Sequence, residues 1–193
     1  MRLRYFCAAM VLSGCTLMGS AQMGSTSAKV APGTQMSPVQ AQDELLNLFQ
    51  EEFMGVAKAM PADKYNFAPT NGEFRGVRTF AKQVKHAAAV QYLVAASILQ
   101  EPITADMSDE RGPDSVKTKA EILTYLKESF VSLKRAASTI DDKNAFSPIK
   151  GVFGSRPDTR LGLIVGAVSH SSNHYGQIVE YLRMNGLIPP DSQ

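Results

Sequence analysis

The chain contains three histidines, His86, His170 and His174, and their placement is the first feature that could do chemistry. His170 and His174 are four residues apart. In a helix that spacing puts both side chains on one face with Cβ atoms about 5–6 Å apart, close enough for two imidazoles to meet one metal ion. His86 is distant in sequence and joins them only if its own segment packs beside theirs. Three neutral nitrogen donors leave a coordination position open, which marks catalytic rather than structural metal sites. The same spacing also suits core histidines that only hydrogen-bond to carbonyls, so spacing alone leaves both readings open. The metal is equally open at this point, because imidazole suits Zn, Ni, Cu and Fe alike.

Polar neighbours of these histidines are candidates to orient a ring or a bound water: Gln83, Asn173 and Gln177. Tyr175 falls on another stripe and reads as core. No carboxylate stands out as a general base: Glu180 lies on the outer side of its segment, and Glu51 and Glu52 look solvated. A metal hydrolase usually needs such a base, so a hydrolase gains little support. Both cysteines, Cys7 and Cys15, lie near the N-terminus, and the rest of the chain offers no thiolate ligand, disulfide or Cys nucleophile.

Four segments of helical period must position these groups. The first spans about residues 38–60, with Leu45, Phe49, Phe53, Val56 and Met60 on one face and Glu44, Glu51 and Glu52 on the wet side. The second, about 74–100, carries Phe80, Val84, Ala87 and Ala88 in one stripe. Its neighbouring stripe is Gln83, His86, Val90, Leu93 and Ser97. So many apolar residues predict burial on more than one side. The third, about 118–140, opens with Thr118 and Glu121 in capping-box spacing. Ile122, Leu126, Phe130, Leu133, Ala137 and Ile140 form its stripe. The fourth, about 158–185, has Leu163, Ala167, His170, His174, Gln177 and Tyr181 at seam spacing. Ile164, Val168, Tyr175, Val179 and Leu182 form a second stripe. On such a seam a polar ring costs stability unless it is satisfied, and His86 also falls on a core-facing stripe. Both facts favour a metal. No stretch reads as a convincing strand, and the pattern predicts an all-α four-helix bundle. The connections, about 15 residues each, exceed the usual 2–8 of bundles. They permit a crossover and could line the mouth of a site.

The N-terminus reads as an export signal. Arg2 and Arg4 precede an apolar run from Tyr5 to Met18, and Gly19-Ser20-Ala21 offers small residues before Gln22. Residues 1–21 match the three-part secretory signal, with cleavage after Ala21. The run is too short and too broken by Ser13, Gly14 and Thr16 for a spanning anchor. A second route is open, since Leu12-Ser13-Gly14-Cys15 looks like a bacterial lipobox that would anchor a lipid on Cys15. Residues 22–38 have linker composition. Losing Arg2 and Arg4 takes the formal charge from +2 to zero, so there is no electrostatic case for nucleic acid. The expected location is periplasmic or secreted, with no transmembrane span in the mature chain. A small-molecule substrate is the expected partner, and a homodimer is a permitted state.

Three stretches carry a family resemblance. His170-Ser-Ser-Asn-His174-Tyr-Gly-Gln, continuing through Tyr181-Leu-Arg to Gly186-Leu-Ile-Pro-Pro190, resembles the last helix of the DinB-like (DinB/YfiT) superfamily. Arg78-Thr-Phe-Ala-Lys-Gln-Val-Lys-His86 resembles its second helix, and Thr118 to Leu126 its third. The resemblance makes residues 39–193 the domain. It implies a four-helix bundle with a crossover between helices two and three, and a divalent metal, Zn or Ni being typical, on His86, His170 and His174. Some relatives are thiol-dependent transferases using small intracellular thiols, and an export signal departs from that setting. Two functional classes follow. One is a metal-dependent enzyme, transferase or hydrolase-like, of unknown substrate. The other is a non-catalytic metal-binding or structural bundle of the cell envelope.

Overall fold

Helices form where the sequence supplies both a cap and an apolar face. The computed structural model describes residues 31–108, 110–154 and 158–192. The expected signal at 1–21 and the linker up to residue 30 lie outside them. Helix α1 spans Pro38–Ala59; Ser37 accepts from the Gln40 amide while the Gln40 side chain accepts from the Ser37 amide. Helix α2 spans Phe80–Leu99 and is capped by Thr79. Helix α3, Lys119–Ala137, carries the Thr118–Glu121 capping box read from sequence. Helix α4 spans Arg160–Met184, with Thr159 accepting from the Gly162 amide. Each cap satisfies N–H groups that a helix start leaves without partners.

Side-chain contacts fix the helix directions. Lys85 reaches Val116, and Glu101 pairs with Arg135 further along both segments, so α2 and α3 are parallel. Tyr181 donates to the Arg78 carbonyl, His174 meets Gln83, and Arg160 donates to the Ile98 carbonyl, so α2 and α4 are antiparallel. Lys134 meets Asn47 and Lys119 donates to the Lys58 carbonyl, which makes α1 and α3 antiparallel. Tyr175 packs on Phe49 and Phe53 while Pro190 lies against Gly55, so α1 and α4 run the same way. The helices ring the core in the order α1, α3, α2, α4, and α3 and α4 barely touch across a diagonal. The direction sequence is up, down, down, up. Residues 100–118 therefore run back along the bundle, which is the expected crossover between helices two and three.

The core has two apolar layers. One gathers Phe49, Phe53, Phe80, Val84, Leu126, Phe130 and Leu182; the other gathers Leu46, Val94, Ile98, Leu133, Leu163 and Ala167. Between them, at intermediate heights on α2, α3 and α4, lie the buried polar residues Gln91, Ser129 and Ser171. Ser129 donates to Gln91 Oε1 at 2.9 Å, and Gln91 Nε2 donates to Ser171 Oγ at 3.5 Å. On α4, His170 and His174 flank Ser171, and on α2, His86 lies five residues before Gln91. The molecule thus has a polar waist between two oily halves.

Several expectations shift. Leu45 is 41% exposed, and Leu46 takes the core position, because Leu46, Phe49, Phe53 and Val56 share one face better than a register through Leu45. Helix α2 starts at Phe80, not near Phe74. The Phe80 and Ala81 amides donate to the carbonyls of Phe67 and Tyr65, so they are committed to the preceding loop. The fourth segment's helix starts at Arg160, since Asp158–Thr159 pairs antiparallel with Pro148–Ile149 in a two-residue bridge. Helix α3 ends at Ala137, although Ile140 stays buried beyond it. The connections, at 60–79, 100–118 and 138–159, are longer than the sequence suggested. No helix among the described residues is long and apolar enough to cross a membrane.

Truncation of the fully buried Phe130, whose ring lies 6.1 Å from that of Phe49, should cost about 3–5 kcal/mol. Urea unfolding followed by circular dichroism would read this for Phe130→Ala. Val131→Ala, one residue on and 59% exposed, should stay within about 0.5 kcal/mol of the parent.

Candidate metal centre

The antiparallel pairing of α2 and α4 places His86 opposite His170 and His174. Ring centroids are 5.0 Å apart for His86–His170, 4.7 Å for His86–His174 and 4.6 Å for His170–His174. One nitrogen of each ring lies within 4.8 Å of the others, so the three could bind a single metal ion. His86 and His174 are buried and His170 is half-buried.

The hydrogen bonds decide which nitrogens face inward. His86 Nδ1 donates to the Glu110 carbonyl, supplied by the α2–α3 crossover. A carbonyl can only accept, so Nδ1 carries the proton and Nε2 keeps its lone pair. His174 Nδ1 donates to Gln83 Oε1 at 2.7 Å, with the same result. Gln83 is held in that orientation because its Nε2 donates to Gln177 Oε1 at 2.5 Å, and Gln177 Nε2 donates to Asn173 Oδ1 at 2.6 Å. Of the three amides singled out in the sequence, Gln83 touches a histidine, Gln177 fixes Gln83, and the exposed Asn173 ends the relay. Glu180 is exposed and pairs with Arg183. Tyr175 packs among Phe49 and Phe53, as its stripe suggested.

His170 differs from its partners. Its Nε2 lies 3.3 Å from His174 Nε2, and its Nδ1 is buried with no hydrogen-bond partner. An unsatisfied buried nitrogen is costly. Because His174 carries its proton on Nδ1, its Nε2 accepts, so His170 Nε2–H donates to it and His170 Nδ1 is the nitrogen left without a partner. With one nitrogen of each ring within 4.8 Å of the others, the donor set fits a divalent ion, which would take the place of the proton between the two Nε2 atoms. The His170 ring is held by packing. Phe153, from the α3–α4 connection, lies 5.9 Å away centroid to centroid. Phe153 fits there because Gly166 has no side chain; a Cβ at that position would come within 2.8 Å of its ring.

The electrostatics act in the same direction. Burial draws the His86 pKa below its usual 6.5, against the opposing effect of the Glu110 carbonyl. Burial, then His86 and Arg78, bring His170 down to about 4. Burial, then His170, His86 and Arg78, bring His174 down to about 3. All three rings are therefore neutral near pH 7, the state a metal ligand requires. Sequence reasoning missed the Glu110 carbonyl and Phe153. The first is backbone and leaves no side-chain signal. The second had an indirect one, since an isolated glycine within a helix marks a close approach.

Comparison with known proteins bears on the fold. The family model of the DinB superfamily matches residues 45–178. The crystal structure of a DinB-like protein from Bacillus cereus ATCC 10987 superimposes with a TM-score of 0.63 at 15% identity, covering 81% of this chain and 98% of that one. No curated protein matches the chain.

The pKa shifts set a pH dependence for the metal-free protein. Unfolded histidines take up protons near pH 6.5, whereas native His170 and His174 resist until about 4 and 3. The unfolded state binds more protons in that window, so stability is full above pH 6.5 and falls as pH drops towards 3–4. Urea midpoints measured across this range should fall accordingly, and less steeply for His174→Gln. A parent midpoint that does not move would show that the rings are not held neutral by the fold.

Proposed function

The chain belongs to the DinB superfamily, and from that premise we propose that it is an exported metalloprotein holding one divalent ion, Zn or Ni, on His86, His170 and His174. The observation that carries the reading is the convergence of three neutral imidazoles from two helices, two of them with Nδ1 tied back so that Nε2 faces the centre. Such ties are the usual companions of metal-bound histidine. A bound ion would supply Lewis acidity at a coordination position that three protein ligands leave open, and this supports a metal-dependent enzyme over a purely structural centre. The chain's own groups orient rather than transfer protons. Gln83 and Gln177 are amides, and Gln83 keeps His174 in one tautomer. That arrangement suits polarising an oxygen, nitrogen or thiol group of a small substrate better than hydrolysis by a carboxylate base. Export is supported by Arg2 and Arg4, the apolar run after them and Gly19-Ser20-Ala21.

Elemental analysis of protein purified without chelator should find about one ion per chain. His170→Ala and His174→Ala should abolish binding, and His86→Ala should weaken it. Metal-free protein whose melting temperature ignores added Zn and Ni would mean that the histidines are only hydrogen-bonded core residues.

Mass spectrometry of the envelope fraction should find Gln22, or a lipidated Cys15, as the first residue. A cytosolic protein with Met1 intact would count against export.

A further inference from the structure

The crossover at residues 100–118 meets α2 at two consecutive positions. His86 donates to the Glu110 carbonyl, and Lys85, its neighbour, is 8% exposed. Lys85 Nζ donates to the Pro113 carbonyl at 2.8 Å and to the Val116 carbonyl at 3.2 Å. Between these contacts lies Gly112, with φ +75. A Cβ there would sit 2.5 Å from Lys85 Cβ and 3.1 Å from the Lys85 carbonyl oxygen, so both conformation and space demand glycine. Upstream, Ser108 and Glu110 also have positive φ, at 43 and 66 degrees, conformations that non-glycine residues hold only when their surroundings impose them. Tyr125 Oη donates to the Asp106 carbonyl at 2.9 Å, and the Gly112 amide to the Met107 carbonyl at 2.8 Å. The segment carrying the Glu110 carbonyl is thus pinned on both sides.

A buried ammonium is an expensive way to fill space, since a methionine would fit a similar volume without desolvating a charge. What methionine cannot do is donate to two carbonyls of one strap. We propose that Lys85 and Gly112 form a clamp that fixes the Glu110 carbonyl against His86 Nδ1, which makes Lys85 a positioning residue for metal affinity. The clamp presents His86 Nε2 to the centre without touching it. This rests on the reading that the three histidines hold a divalent ion.

The test uses Zn as the probe. Zn affinity is measured by competition with a chromophoric chelator, and the His86 tautomer is read by nitrogen-edited NMR of the metal-free protein. In the parent, His86 should carry its proton on Nδ1, in slow exchange with water. Lys85→Met and Gly112→Ala should each lose that protected proton and weaken Zn binding by about 10–100-fold, with helical circular dichroism retained. Lys82→Met, at an exposed position of the same helix, should change neither. Folded Lys85→Met protein with parental Zn affinity and tautomer would overturn the clamp, as would a parent whose His86 is protonated on Nε2. Collapse of the bundle in both variants would overturn it in favour of a purely structural role. A parent that takes up no Zn would defeat the metal reading alone, and the His86 tautomer would still decide the clamp.

Discussion

Because α2 and α3 run in the same direction, the chain between them has to travel back along the bundle. Most of what is specific about this molecule follows from that constraint. A tight turn between antiparallel helices would leave the face of α2 that carries His86 uncovered by backbone. The returning segment, described at 100–108 and 110–118, covers it instead and brings a carbonyl to the imidazole. In this topology α2 and α4 are antiparallel neighbours, and their adjacency joins His86 of the second helix to the i,i+4 pair on the fourth.

The centre is assembled from groups that carry no net charge. Its three rings are kept neutral chiefly by burial, and the outer nitrogens of His86 and His174 are satisfied by a peptide oxygen and an amide oxygen rather than by carboxylates. Each ring is restrained by a different device: a pinned backbone for His86, an amide relay for His174, an aromatic lid over a glycine for His170. The three devices come from the crossover, from α2 and α4 themselves, and from the last connection. The loops belong to the site as much as the helices do.

The helices and the three histidines were legible in the sequence because both rest on period. A stripe every three or four residues announces a face, and His170 and His174 fall on the same one. Capping residues were legible too, as Thr118 and Glu121 show. Leu45 was misplaced because Leu45 and Leu46 are adjacent and equally apolar, and period alone cannot choose between registers that differ by one. The early start given to α2 reflects a tertiary contact: loop carbonyls at Tyr65 and Phe67 take the first amides of the helix. The Glu110 carbonyl was invisible because every residue has one. Gln83 was legible as a candidate, since it lies on the stripe of His86, but only the pairing of α2 with α4 reveals that it serves His174 instead.

The polar waist has a consequence for how the helices are indexed. Oily layers of similar size tolerate sliding, because one leucine fills the place of another at little cost. Gln91, Ser129 and Ser171 do not, and neither does the pairing of Gln83 with His174. A slip of one turn, about 5.4 Å, would strand each of these groups against hydrocarbon. The waist therefore works as a vernier: its polar marks align at a single setting of α2, α3 and α4, and the alignment that brings the histidines together is the one at which all the marks coincide.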